Sequence, residues 1–451
     1  MPSLRIVLLA LALASTAPAA AQGVGEGFDV LAYDLDLRPD LETGAVSARQ
    51  AITFEATGES VDRLVFSPNA LTISEARLGD QPVRVLATDT GIVFLLPQAL
   101  PPGESARLEF TLAGMPARGV TLLPTGLSTG YFACDWMVCL QDAPGDKADL
   151  ALNLYLPAGA DSLGVGQLRE VAPVAGGMAV HRWHSDAPTS PYLIAFAAGH
   201  FPAIRASTPY GELRFVDGTG NQADLANLFA QTEDMVAFFS DRAGLPLPPS
   251  GYAQLLVPGD EAQEAASFSL IGLDHLEAEA DNPASAWVIA HELAHQWWGN
   301  AVTTQTWADF WLNEGITTFM VAAWREQAFG VQAYRDEVAR LEARRARLEE
   351  TGWDMPLAWP GRYPSLGVRR AVQYSKGALF MVRLRELVGE EAFWRGLRAY
   401  TQAHAGGTVT SRDFQAAIEA ASGRDLSAMF DEWVYPSGRQ ALPPIPGSAG
   451  N

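Results

Sequence analysis

Two histidines four residues apart bracket a glutamate in the segment His291-Glu292-Leu293-Ala294-His295. On a helix, residues four apart share a face, so the two imidazoles can converge on one ion. Neutral imidazole suits zinc. Glu292 lies beside that ion, where its carboxylate can take a proton from water. A zinc site that does chemistry needs a third protein ligand and one position left for water. Glu314, in Trp311-Leu312-Asn313-Glu314-Gly315, follows His295 by nineteen residues. That is enough chain to end one helix, turn through residues 299–305 and return a second helix antiparallel to the first. A lone histidine is usually structural or exposed, and a glutamate at a helix start is usually a cap. Here the chain has seven histidines in 451 residues, and two of them flank a glutamate at helical spacing. The coincidence of His291, His295 and Glu314 therefore favours a single zinc ion over scattered structural roles.

The ligands need elements to hold them. Asn282 is a candidate cap for the first helix, Pro283 suits its first position and Gly299 can end it. Before it, residues 28–201 read as all-β. Tyr33-Asp34-Leu35-Asp36-Leu37 alternates with period two, and short runs at 51–55, 63–66, 91–96, 106–112 and 192–197 follow. Such a series suggests a sandwich or a curved sheet. Beyond about residue 207 the texture becomes helical, at 224–242 and then from 283 to 435, with strands expected at 252–257 and 268–273. The spacing predicts helices at 314–329, 331–350, 372–388, 391–404, 411–421 and 426–434. The expected organisation is a signal peptide at 1–21, a β domain at 22–206, a mainly helical catalytic domain at 207–440 and a disordered tail at 441–451.

Composition narrows the function classes. The formal net charge is −21 and the hydrophobic fraction 48%. A packed interior is expected, and no basic patch offers itself to nucleic acid or anionic membrane. The one dense basic run, Arg340, Arg344, Arg345 and Arg347, is interleaved with Glu342, Glu349 and Glu350 and reads as a solvated helix face. Arg5, the apolar residues 6–14 and Ala19-Ala20-Ala21 have the pattern of a secretory leader, with an uncleaved anchor as the alternative. No later stretch suits a membrane span. A periplasmic or secreted protein is expected. Its two cysteines, Cys134 and Cys139, would then be either a local disulfide or two thiols, with the oxidising compartment favouring the first.

Around the histidines the sequence resembles peptidase family M1, the aminopeptidase N group of zinc peptidases. His291-Glu292-Leu293-Ala294-His295-Gln296-Trp297-Trp298-Gly299-Asn300, Val302-Thr303 and Trp311-Leu312-Asn313-Glu314-Gly315 follow the family's two zinc helices. Tyr374-Ser375-Lys376-Gly377-Ala378 resembles its tyrosine motif. Asp142-Ala143-Pro144 with Lys147-Ala148, and Tyr192-Leu193-Ile194-Ala195-Phe196, resemble landmarks of its first domain. The resemblance runs from about residue 28 to 437. It implies an α+β protein, with an N-terminal β-saddle domain followed by a thermolysin-like catalytic domain. It implies one zinc ion held by His291, His295 and Glu314, with Glu292 as base. Tyr374 would donate to the oxygen that becomes charged in the transition state. Asp309 and Asn313 are candidates to brace the ligands from behind. The strand containing Ser267, Phe268 and Ser269 is expected to pair with the backbone of a peptide or protein substrate.

Two departures stand out. Family aminopeptidases grip the substrate's free amine with the glutamate of a Gly-Ala-Met-Glu-Asn strand. Aligned through Leu270-Ile271, this chain has Ala266 at that glutamate, unless Glu264 substitutes by a register shift. A second amine-binding residue of the family falls near Gly130. The large helical C-terminal domain of many members has no counterpart in these 451 residues. Aminopeptidase action is the family default. An endopeptidase, a hydrolase of non-peptide substrates and a zinc-containing binding protein without turnover remain as alternatives.

Overall fold

The computed structural model describes residues 22–279, 282, 284 and 286–436. The leader-like residues 1–21, Pro283 and the tail at 441–451 lie outside the described residues.

The strand Phe28–Pro39 shows how the first half is built. Tyr33, Leu35 and Leu37 are buried while Asp34 and Asp36 are half-exposed, so the period-two alternation becomes one apolar and one polar face. This strand is central in an eight-stranded sheet. It pairs antiparallel with Val46–Ala56 and parallel with Asp149–Pro157. A three-stranded and a four-stranded sheet complete the β part. Phe28, Phe54, Phe66, Phe94 and Phe110 fill the core with mostly edge-on or tilted ring contacts. Cys134 and Cys139 form a disulfide beneath this core.

The second half opens on a five-stranded sheet. Its order is Ala203–Thr208, Gly211–Asp217, Tyr252–Val257, Phe268–Gly272 and, at the edge, Ala262–Ala265. Helices cover it, and the expected helical segments are found at Trp311–Phe329, Val331–Thr351, Glu390–Ala403, Ser411–Ser422 and Ser427–Trp433. The segment expected as one helix at 372–388 is a π-helical stretch, Ala371–Lys376, running into the helix Gly377–Val388.

The histidine helix is shorter than the sequence implies. It spans Val288–Ala294, with Trp287 before it and His295 at its end, so Asn282 does not cap it. Part of the reason is non-local. The carbonyl of Ala286 accepts two hydrogen bonds from the buried Arg325 guanidinium, at 3.0 and 3.2 Å, and is not available to an earlier turn. Gly299 lies past the helix and has another use. A β-carbon there would sit 2.9 Å from His295 Nδ1.

The long helix Trp311–Phe329 crosses Gly377–Val388 at two glycines. A β-carbon on Gly377 would lie 2.9 Å from the Gly315 α-carbon, so backbone touches backbone. This contact follows Glu314 by one residue and Tyr374 by three, and so sets their spacing. Gly377→Ala should lower folding stability by about 1–3 kcal/mol, the usual range for overpacking. Denaturant unfolding checks this, and unchanged stability would show that the crossing is slack.

Candidate functional site

His291 and His295 face one way from the histidine helix, and Glu314 meets them from the first turn of the long helix. The two Nε2 atoms are 3.1 Å apart. Glu314 Oε2 lies 3.2 Å from His291 Nε2 and 3.4 Å from His295 Nε2. All three side chains are buried. His295 Nδ1 lies 3.0 Å from the Trp298 carbonyl oxygen, which can only accept. Nδ1 therefore carries a proton, and Nε2 is the nitrogen that turns inward. A carboxylate oxygen and two imidazole nitrogens then aim at one point, and Glu314 Oε2 has no hydrogen-bond partner despite its near neighbours. Lone pairs gathered this tightly call for a cation, and two nitrogens with one carboxylate oxygen suit zinc.

The titration behaviour agrees. Burial opposes a charge on His295, but Glu314, Glu264 and Glu292 outweigh it and raise its imidazole to about 10. Burial would raise the Glu314 carboxyl, yet His295 first and His291 after it bring it down to about 2. His291 is lowered, chiefly by burial. The pocket prefers positive charge at the point where the three donors meet.

Glu292 is buried beside this point, and its Oε2 has no hydrogen-bond partner. Burial, assisted by Glu264 and Glu314 and opposed by His295, raises its carboxyl well above the ordinary range. Tyr374 lies on the π-helical stretch, its ring stacked on His291 at 5.8 Å and 10°. Such bulges often mark functional positions, because they turn one side chain out of helical register. Burial, then Glu314, Glu264 and Glu292, keep its phenol protonated. The buried Lys376 pins the stretch through the Met355 carbonyl oxygen and Asp354, each at 2.7 Å.

Two expectations need correction, and a third takes a specific form. Asp309 does not brace a histidine, because its carboxylate accepts from the backbone N–H and hydroxyl of Ser411. Asn313 braces the helix of Glu314 rather than a histidine. Its amide donates to the Tyr192 hydroxyl at 2.9 Å and accepts from the Thr304 N–H at 3.2 Å, which ties the Glu314 helix to the first half of the chain. Ser267, Phe268 and Ser269 are not on a free strand edge. Phe268–Gly272 is interior, parallel to Tyr252–Val257 on one side and antiparallel to Ala262–Ala265 on the other. Ser267 has a positive φ of 74° and turns the chain between the two strands. Ser269 backs the histidine helix, its hydroxyl 3.3 Å from the Glu292 carbonyl oxygen.

The outermost strand of the sheet is Ala262–Ala265, and it carries Glu264. This carboxylate is buried, and together with Glu292 and His295 it forms a second cluster whose donor atoms lie within 4.8 Å of one another. Burial raises it to about 7 against the pull of His295. Gln263 donates to it at 2.9 Å. A β-carbon at Gly130 would meet Glu261 and Gln263, so the first half of the chain abuts this edge. Lys147 adds another tie. Its ammonium donates to the carbonyl oxygens of Asn300, at 3.1 Å, and Gly407, at 3.3 Å. Sequence alignment put Ala266 at the amine-binding position. Ala266 lies in the turn after this strand, and the signal for Glu264, two residues earlier and on the strand itself, needed the strand pairing to interpret.

Residues 265–433 match the Peptidase family M1 domain. The chain is 28% identical over 335 residues to aminopeptidase N of Lactococcus lactis subsp. lactis, covering 70% of this chain and 39% of that protein. It is 24% identical over 441 residues to aminopeptidase 2 of Candida albicans, covering 90% and 46%. It thus spans less than half the length of either relative. A solved structure, an M1 zinc metallopeptidase mutant from Deinococcus radiodurans bound to a Tyr-Ser-Ala substrate, superposes with a TM-score of 0.76 at 25% identity. That match covers 93% of this chain and 96% of the other.

The purified chain should take up one zinc ion. His295→Ala and Glu314→Ala should each weaken uptake by more than about a hundredfold, beyond the usual cost of losing a group that only braces a ligand. Competition with a chelating dye measures this, and wild-type affinity in either variant would exclude that residue as a ligand.

Proposed function

We propose that this chain, whose residues 265–433 match the Peptidase family M1 domain, is a zinc-dependent aminopeptidase that removes the first residue from peptides. The observation that carries the aminopeptidase reading is the Glu264 carboxylate, buried within 4.8 Å of donor atoms on Glu292 and His295. A peptide's terminal ammonium is the group best suited to such a site, because it neutralises a desolvated carboxylate.

His291, His295 and Glu314 would hold the zinc ion, which would supply Lewis acidity toward the scissile carbonyl and the attacking water. Glu292 takes the proton of the attacking water and returns it to the departing amine. Its raised affinity for protons, a result of burial first, suits the second half of that exchange. Tyr374 donates its hydroxyl proton in a hydrogen bond to the oxygen that gains charge. Glu264 fixes the amine, so the first peptide bond is the one presented. Ala262–Ala265, the outermost strand of its sheet, is the backbone that the rest of an extended peptide would meet.

Cleavage of N-blocked or internal bonds is the rival reading, favoured by Ala266 and Gly130, which supply no carboxylate. One assay separates them. Free-amine peptides should be cleaved and their N-acetylated forms should not. Glu264→Gln should lower kcat/KM for the free-amine peptides by about ten- to a hundredfold, as expected for a lost charged hydrogen bond. Faster cleavage of the acetylated peptides would sink the aminopeptidase reading.

The chemical step has its own test. Glu292→Gln should lower kcat by at least about a hundredfold. Tyr374→Phe should lower kcat by about 10²–10³ with a small change in KM, because its hydrogen bond is strong only in the transition state. Steady-state kinetics with zinc content measured in parallel checks both, and a zinc-loaded Tyr374→Phe with wild-type kcat would remove Tyr374 from the mechanism.

A further inference from the structure

Arg369 lies five residues before Tyr374, in the short helix Leu366–Arg370. Its guanidinium carbon sits 5.8 Å from the ring centre of Trp307 and 5.2 Å from that of Phe310. Trp307 in turn touches Tyr131 at 6.0 Å and Tyr192 at 5.1 Å. The arginine thus rests on an aromatic floor. Its Nε donates to Gln373 at 2.9 Å. Among the described residues no carboxylate forms an ion pair with it. Arg385 makes a useful contrast, because it is stacked on Trp394 in a similar way and has Glu326 at 2.8 Å.

The guanidinium also neighbours the amine site. Burial is the largest influence on Glu264 and on Tyr131, and pushes both upward. The aromatic floor leads to that site: Tyr131, in contact with Trp307, follows Gly130, where a β-carbon would lie 3.3 Å from Glu261 Oε1 and 3.8 Å from Gln263 Cγ, next to Glu264. The positive charge of Arg369 opposes the upward push on both groups. A half-buried fork of N–H donors with no ion-paired carboxylate, near the site that holds the ammonium, suits a second anion on the same molecule. A substrate's first side chain branches from the same carbon as its ammonium. The surrounding Glu264, Glu292 and Glu314 would repel an acidic side chain unless a cation received it.

We infer that Arg369 reads the side chain of the substrate's first residue, and that the preferred substrates are peptides beginning with glutamate or aspartate. This rests on the aminopeptidase reading above. The isosteric pair Glu and Gln isolates the charge. The wild-type protein should cleave Glu-Ala-Ala about 10–100 times more efficiently, as kcat/KM, than Gln-Ala-Ala, the range for one charged hydrogen bond. Arg369→Gln should bring that ratio close to one, and Arg369→Lys should keep part of it. L-Glutamate should also bind zinc-loaded Glu292→Gln more tightly than L-glutamine, measured by calorimetry.

A wild-type ratio of one or less, with Gln-Ala-Ala turned over, would overturn the inference and leave the aminopeptidase reading standing. A proportional loss on both peptides in Arg369→Gln would also overturn it, because that is what a merely structural prop for the aromatic floor would give. If no free-amine peptide were turned over, the aminopeptidase reading would fail. The glutamate-against-glutamine affinity would then decide the Arg369 pocket alone: tighter glutamate supports it, and equal affinity sinks it.

Discussion

Three electron-rich atoms held within about one hydrogen-bond length of each other repel unless a positive charge sits among them. That constraint organises the second half of the molecule. His291, His295 and Glu314 cannot relax apart, because each is fixed by its helix and buried from water. The Trp298 carbonyl oxygen decides which nitrogen of His295 faces inward. The glycine-on-glycine crossing of Gly315 and Gly377 decides how near the Tyr374 stretch can come to Glu314. The framework holds the donors in an arrangement that is unfavourable until charge-compensated, and this is what makes a site bind a divalent ion tightly in a defined geometry.

What the sequence could reveal follows from what is local. The spacing of the two histidines, the return of Glu314 and the alternation of Tyr33, Leu35 and Leu37 are all expressed within one or two elements. They were readable because helical and strand periods fix which residues share a face. Features set by distant partners were not readable. The histidine helix starts late because Arg325, some forty residues on, occupies the Ala286 carbonyl. Asp309 serves Ser411, about a hundred residues away. Which of two adjacent strands forms the sheet edge depends on pairing with Tyr252–Val257, and that pairing exchanged the expected Ser267–Ser269 edge for the one bearing Glu264. Arg369 gave no signal at all, since nothing in its neighbourhood of sequence reveals an arginine without a carboxylate.

The acidity of the site gives its parts separate tasks. Glu314 stays ionised because histidines surround it, whereas Glu292 and Glu264 are held to their protons more tightly by burial. Three carboxyl groups of similar intrinsic acidity thus differ by environment alone, one suited to holding a cation and the others to exchanging protons or accepting a substrate's charge.

Lys147 comes from the β half of the chain, yet its ammonium closes over the carbonyls of Asn300 and Gly407, directly behind the histidine helix. Tyr192, from the same half, receives the amide beside Glu314. The helical half is therefore not a portable cassette: cut away from its β neighbour, it would lose the ammonium that joins Asn300 to Gly407 and the hydroxyl that holds the helix of Glu314. Mutations that look remote, in the loop that carries Lys147 and the short 3-10 turn Pro191–Leu193 that carries Tyr192, bear on the zinc-ligand helices.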